Sequence, residues 1–234
     1  MRAPLLLLVM LSAAAPAFSQ PLKVGDFGRG TPGALPFGWT EQPLGDLQPT
    51  DYALARDGDD VVLQATSDDS ASGLKRALTL DPSRRPTLAW RWKIDGVVPG
   101  GRIDSKGGDD YAARLYVTFD YDPADLSFSD RMKYRALRAL GYDVPLRALC
   151  YVWANRADET RRAPNPYTEW VQMIPVQSGP ERAGRWTAHE RDLLGDYRAA
   201  FGEEPPAISG FVLMTDTDDT GAKARAYFGD IVLR

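Results

Sequence analysis

The chain has one cysteine and one histidine in 234 residues. A single thiol, Cys150, cannot close an intramolecular disulfide, and a cysteine-based zinc site lacks its ligands. Cys150 sits between Leu149 and Tyr151 in an apolar stretch, so it reads as a small core residue rather than a nucleophile. His189 follows Trp186-Thr187-Ala188 in a strand-like segment and reads as a surface or structural side chain rather than a base. No G-x-S-x-G elbow, H-E-x-x-H pair or phosphate loop is present, so the common hydrolase and nucleotide chemistries lack their signatures. Basic clusters are also missing. The formal net charge is −4 and Lys and Arg are scattered, which argues against a nucleic-acid partner.

Long apolar runs are missing too. The run at residues 5–11 is shorter than the about 20 residues that span a bilayer. It follows a short positive start, Met1-Arg2, and precedes a small-residue stretch ending at Ala17-Phe18-Ser19. That order is the pattern of a secretory signal cleaved before Gln20. Residues 1–19 are therefore expected to be a signal peptide and residues 20–234 a single domain, periplasmic or secreted. No cysteine lies near the cleavage point to carry a lipid, and no membrane insertion is expected after cleavage. No internal repeat or low-complexity linker divides the mature chain.

The mature chain is rich in strand signals. Leu88, Trp90, Trp92 and Ile94 alternate with Ala89, Arg91 and Lys93. Leu115, Val117 and Phe119 alternate with Arg114, Tyr116 and Thr118, and Ala148, Cys150 and Val152 alternate with Leu149, Tyr151 and Trp153. A period of two puts one set toward a core and the other on the opposite face. Further strands are expected at 52–56, 61–66, 74–80, 169–176, 186–191, 208–215 and 224–233, separated by Gly, Pro, Asp and Asn clusters. Helices are expected at 129–140, ended by Gly141, and at 193–201, ended by Gly202. This pattern predicts an all-β sandwich with one or two short covering helices.

Several motifs carry a family resemblance. They are Gly108-Asp109-Asp110-Tyr111-Ala112-Ala113-Arg114, Tyr151-Val152-Trp153-Ala154-Asn155, Asn165-Pro166-Tyr167, the segment Met214 to Gly221, and Ala226-Tyr227-Phe228-Gly229-Asp230-Ile231. As a set they resemble the bacterial domain-of-unknown-function family 3047, over nearly all of the mature chain. That family has no established activity, so the resemblance implies no catalytic residues. More loosely, Val24-Gly25-Asp26-Phe27 with Gly38-Trp39, and Phe228 to Leu233 at the end, resemble galactose-binding-like jelly rolls used as carbohydrate-binding modules. This resemblance implies a structural calcium joining the first and last strands, with Asp26 and Asp230 as ligands. Gly28 stands where such modules usually place a second acidic residue.

Three features could carry chemistry. The loop from Asp216 to Gly221, with Asp218 and Asp219, has closely spaced carboxylates suited to a hard cation. It resembles half an EF-hand loop, but Thr220 and Tyr227 occupy positions where acidic ligands belong. The alternative is a solvated turn whose side chains bond their own backbone. The loop Gly107-Gly108-Asp109-Asp110-Tyr111 could accept sugar hydroxyls or pair with Arg114. The third feature is a face carrying Arg91, Arg114, Tyr116, Tyr151 and Trp153, with Arg225 and Tyr227 and with Asn155 at its end. Rings stack on the apolar faces of sugars while Arg clamps carboxylates, which would suit acidic sugars. The alternative is a second core layer beneath the helices. These residues predict a non-catalytic domain binding a glycan or other polyhydroxylated ligand. The alternatives are a carboxylate-dependent enzyme acting on a polysaccharide, or an envelope protein-interaction module.

Overall fold

The structure, a computed structural model, describes residues 20–139 and 144–234. The expected signal segment and the expected helix end at Leu140–Gly141 lie outside the described residues. Fourteen strands follow the alternations. They are β1 (Leu22–Gly25), β2 (Thr40–Pro43), β3 (Asp51–Asp57), β4 (Asp60–Asp68), β5 (Ser72–Leu80), β6 (Thr87–Ile94) and β7 (Arg114–Phe119). After helix α1 (Phe128–Ala139) come β8 (Ala148–Ala154), β9 (Ala163–Asn165), β10 (Thr168–Ser178) and β11 (Thr187–Asp192). Helix α2 (Leu193–Phe201) precedes β12 (Ile208–Met214), β13 (Lys223–Phe228) and β14 (Ile231–Leu233). The short strands β2 and β9 have too few residues to show a period and are new; β1 is the first strand that the resemblance to galactose-binding-like modules implies. The single strand expected at 224–233 is two, broken at Gly229-Asp230.

Two seven-stranded sheets result. The first runs β1-β14-β6-β13-β4-β3, with β11 also paired to β6. The second runs β2-β5-β12-β7-β8-β10-β9. Pairing is antiparallel except between β8 and β10. The sheets curl and pack face to face as a jelly-roll β-sandwich. Trp92 and Phe228 of the first sheet and Trp153 and Phe211 of the second fill the space between them. Full burial of a side chain of this size gives roughly 1.5–3 kcal/mol, so this layer supplies much of the fold's stability.

The helices behave differently. Asp192 caps α2, its carboxylate accepting from the Leu194 N–H at 3.1 Å. Gly202 ends α2 in the left-handed conformation. Leu193 and Tyr197 plug α2 into the core, where the Tyr197 ring meets Phe119 edge-on at 4.6 Å. Helix α1 buries no residue completely; Tyr134 and Leu137 rest half-buried against Leu126, Leu146 and Trp170. No helix among the described residues is long and apolar enough to cross a membrane.

Candidate functional site

Register decides which residues of the second sheet face outward. Gln42, Gly73, Met214, Arg114 and Val152 lie side by side across β2, β5, β12, β7 and β8. Thr40, Lys75, Val212, Tyr116, Cys150 and Met173 form the next row. Thr118, Ala148 and Val171 form the third. Over β8 and β10 this outer face is covered, because Ile103 and Tyr111 form a second small core with Cys150, Val152 and Met173. Over β5, β12 and β7 it is open. A groove of about 780 Å³ lies there, floored by Tyr116, Val212 and Met214. Gly73 keeps that floor low: a Cβ there would meet Val212 Cγ1 at 2.7 Å.

One end of the groove is built around Arg114, which is only 2% exposed. Its Nε donates to Asp216 Oδ1 at 3.0 Å and its Nη2 to Asp216 Oδ2, a two-toothed pair. Its Nη1 donates to Asp109 Oδ1 and to the Tyr116 hydroxyl oxygen, both at 3.2 Å. The second oxygen of Asp109 accepts from Asn165 Nδ2 at 2.8 Å. Arg114 is thereby fully consumed, and the expectation that it clamps an acidic sugar is corrected. Asp109 and Asp216 are equally engaged: they hold the guanidinium that holds the floor. Burial pushes the Asp216 carboxyl up, Arg114 opposes this, and Asp109 and Asp110 add to it.

Asp110 is fully buried and accepts from the Thr220 N–H at 2.7 Å and the Asp219 N–H at 3.3 Å. It shapes the 216–221 loop and offers nothing to a ligand. Asn155 is also a builder. Its Nδ2 donates to the Asp110 carbonyl and its Oδ1 accepts from the Val98 N–H, each at 2.8 Å. Gly101 makes room for that amide, since a Cβ there would stand 2.1 Å from Asn155 Nδ2. Asp110 and Asn155, both expected as ligand contacts, are therefore corrected to loop supports.

Asp218 is different. It lines the groove half-buried, and no side-chain hydrogen bond or ion pair engages it among the described residues. Its carboxyl is raised by burial, then by Asp110 and Asp219. Asp219 lines the groove beside it, raised by burial and partly relieved by Tyr167. The Tyr167 hydroxyl lies 3.1 Å from both Asp219 Oδ1 and the Lys106 carbonyl oxygen, and burial followed by Asp219 pushes its pKa up to about 12. Lys106, Asn165, Tyr167 and Asp219 were not expected as contacts. Asn165 and Tyr167 belong to the Asn165-Pro166-Tyr167 motif and Asp219 to the acidic loop, but nothing local in the sequence marks them as lining one groove.

Three carboxylates, of Asp110, Asp216 and Asp218, offer oxygens within 4.8 Å of one another. Two of the three are already engaged by backbone N–H groups and Arg114, while no side chain engages Asp218 among the described residues. The calcium site expected at Asp26 and Asp230 does not fit a cation. Lys23 Nζ stands between them, 2.8 Å from Asp26 Oδ1 and 2.7 Å from Asp230 Oδ2. The Gly28 N–H donates to Asp230 Oδ1 at 3.1 Å. An ammonium thus ties the first and last strands together.

The expected aromatic face is corrected most. Leu115 is in register with Tyr151, so Tyr151 and Trp153 point between the sheets and are 0% exposed. The Tyr151 hydroxyl donates to Asp196 Oδ2 at 2.8 Å and Trp153 Nε1 to the Gly179 carbonyl at 3.0 Å. Arg91 lies on the outer face of the other sheet. It pairs with Asp60 at 2.5 Å, its guanidinium 4.5 Å from the Trp186 ring. Of the candidates, Arg114, Tyr116, Asp109, Asp216 and Asp218 share the groove; Arg91, Tyr151 and Trp153 do not.

Fold and groove together define a jelly-roll β-sandwich with a ligand-sized depression on one outer sheet face. Within that class, the chain belongs to the family of proteins of unknown function DUF3047, whose model matches residues 37–232. No curated protein matches it in sequence. Among solved structures it is similar to the family 11 carbohydrate-binding module of the cellulosomal cellulase Lic26A-Cel5E of Clostridium thermocellum. That match has 10% identity, covers 92% of this chain and 94% of the module, and has a TM-score of 0.46. It is also similar to endoglucanase 3 of Trichoderma harzianum, from family GH12, at 7% identity over 94% of this chain and 99% of the other, with a TM-score of 0.43.

Proposed function

We propose that this chain is an exported binding domain whose groove on the second sheet takes a glycan or similar polyhydroxylated ligand. The observation that carries the proposal is the open groove of about 780 Å³ with an accessible, unpaired carboxylate, Asp218, at its acidic end. Ligand sites of this kind combine a mostly apolar lining with a few placed polar groups. Here Asp218, Asp219 and the Tyr167 ring supply those groups. Carboxylates accept from hydroxyls, and a half-exposed ring offers a flat apolar face. Buried Arg114 holds this end rigid, so binding need not order it. The test is a glycan array probed with the mature chain, followed by titration of the best ligand. Asp218→Ala and Tyr167→Ala should each weaken binding by about tenfold, one strong hydrogen bond or stacking contact in each case. Silence across the array, or affinities unmoved by both substitutions, contradicts the proposal.

One observation favours a second reading, a carboxylate-dependent enzyme. Asp218 is unpaired and its pKa is raised among other carboxylates, as a general acid requires. Turnover of a bound polysaccharide, lost in Asp218→Asn while binding persists, would establish it.

A further inference from the structure

The groove has two unlike ends. β7 runs along its floor from Arg114 to Phe119, about 17 Å at a strand's rise. At the Arg114 end stand Asp109, Asn165, Tyr167, Asp218 and Asp219. Beyond the other end, where the chain leaves β7 toward α1, the lining includes Tyr121, Tyr134, Leu137, Val144 and Leu146, and the nearby hydroxyls of Thr118 and Ser209 bond each other at 2.9 Å. Four of these five are only half-buried, so the protein keeps apolar surface in contact with water there. Charge does not compensate. Lys133 Nζ is engaged by the Tyr167 carbonyl at 3.2 Å and lies 5.3 Å from the Trp170 ring. Asp120, the acidic residue of that end, is exposed to solvent.

A ligand made only of hydroxylated rings would satisfy the first end but leave the apolar surface of Leu137, Val144, Pro145 and Leu146 at the second poorly covered, where a hydrocarbon chain fills it better. A ligand made only of hydrocarbon would strip water from Asp218 and Asp219 for nothing. We infer that the groove takes an amphipathic glycan, with a polyhydroxylated head at the Asp218 end and a hydrocarbon tail along Tyr134 and Leu137 of α1. This inference rests on the glycan reading above and adds the class of ligand. Tyr134 and Leu137 are then specificity-determining residues. They select for the tail because each buried methylene strengthens binding about fourfold.

The test is calorimetric titration of the mature chain with methyl and n-octyl glucoside, galactoside and mannoside below the micelle threshold, with octanol as control. For at least one sugar the octyl glycoside should bind about sixtyfold tighter than the methyl glycoside, the gain from three buried methylenes. Leu137→Asn should erase most of that gain and leave methyl glycoside binding unchanged. Asp218→Asn should weaken both glycosides and leave the ratio intact. Val144→Ser replaces Leu137→Asn if the latter lowers the melting midpoint. Equal affinity for methyl and octyl glycosides overturns the inference while the glycan reading stands. Octanol binding as tightly as octyl glycosides overturns both, as does silence here together with silence on the glycan array.

Discussion

Arg114 is the side chain on which the acidic end of the groove depends. It is buried between Asp109 and Asp216, so its removal strands two carboxylates in a low-dielectric site. Arg114→Met should cost about 3–5 kcal/mol of stability, read by chemical denaturation. A loss under 1 kcal/mol would mean the carboxylates find other partners. His189 offers a second test at this scale. Burial, then Arg191 and Arg182, lower its pKa to about 4 from an ordinary 6.5. Its ring lies against Trp90 and Trp92 at 5.3 and 5.4 Å. The unfolded chain takes up the proton near pH 6.5 and the folded chain only near 4. The contribution of His189 is therefore fully present above pH 6.5 and declines as pH falls toward 4. The stability difference between wild type and His189→Phe should drift in favour of the variant across that window. A pH-independent difference would refute the assignment.

At the scale of elements, period-two alternation made the strands legible, because β6 and β7 each alternate an apolar set with a more polar one. What alternation cannot give is which face of one strand joins which face of the next. In β8 both sets are apolar or aromatic, so Tyr151 and Trp153 pass for a binding face until register with Leu115 and Val117 turns them inward. Trp153→Ala should accordingly unfold rather than merely disarm the protein, costing about 3–5 kcal/mol in a thermal or denaturant melt. Unchanged stability with lost ligand binding would restore the surface reading. The acidic loops were legible as important, but their split into supports (Asp109, Asp110, Asp216) and a free group (Asp218) depends on hydrogen bonds between distant segments. The contribution of α1 to the groove left no local trace. Its Tyr134 and Leu137 look like any amphipathic helix face until the sheet is placed beneath them.

At the scale of the molecule, the two sheets present opposite outer faces with different characters. The first carries Arg91, Lys93, Arg225 and Tyr227, tied up with Asp60, Asp57, Asp95 and each other. The second carries the groove. The alternation in the sequence marked which residues share a face of each strand without choosing which sheet face stays open. The choice can be read by hydrogen exchange of residues 20–234, with and without the best ligand from the array. Protection on the groove segments, residues 106–118, 163–171 and 209–220, extending to α1 around Tyr134 and Leu137 for a ligand with a hydrocarbon tail, is the predicted result. Protection on β6 and β13 around Arg91 and Tyr227, with the groove unchanged, would contradict the account.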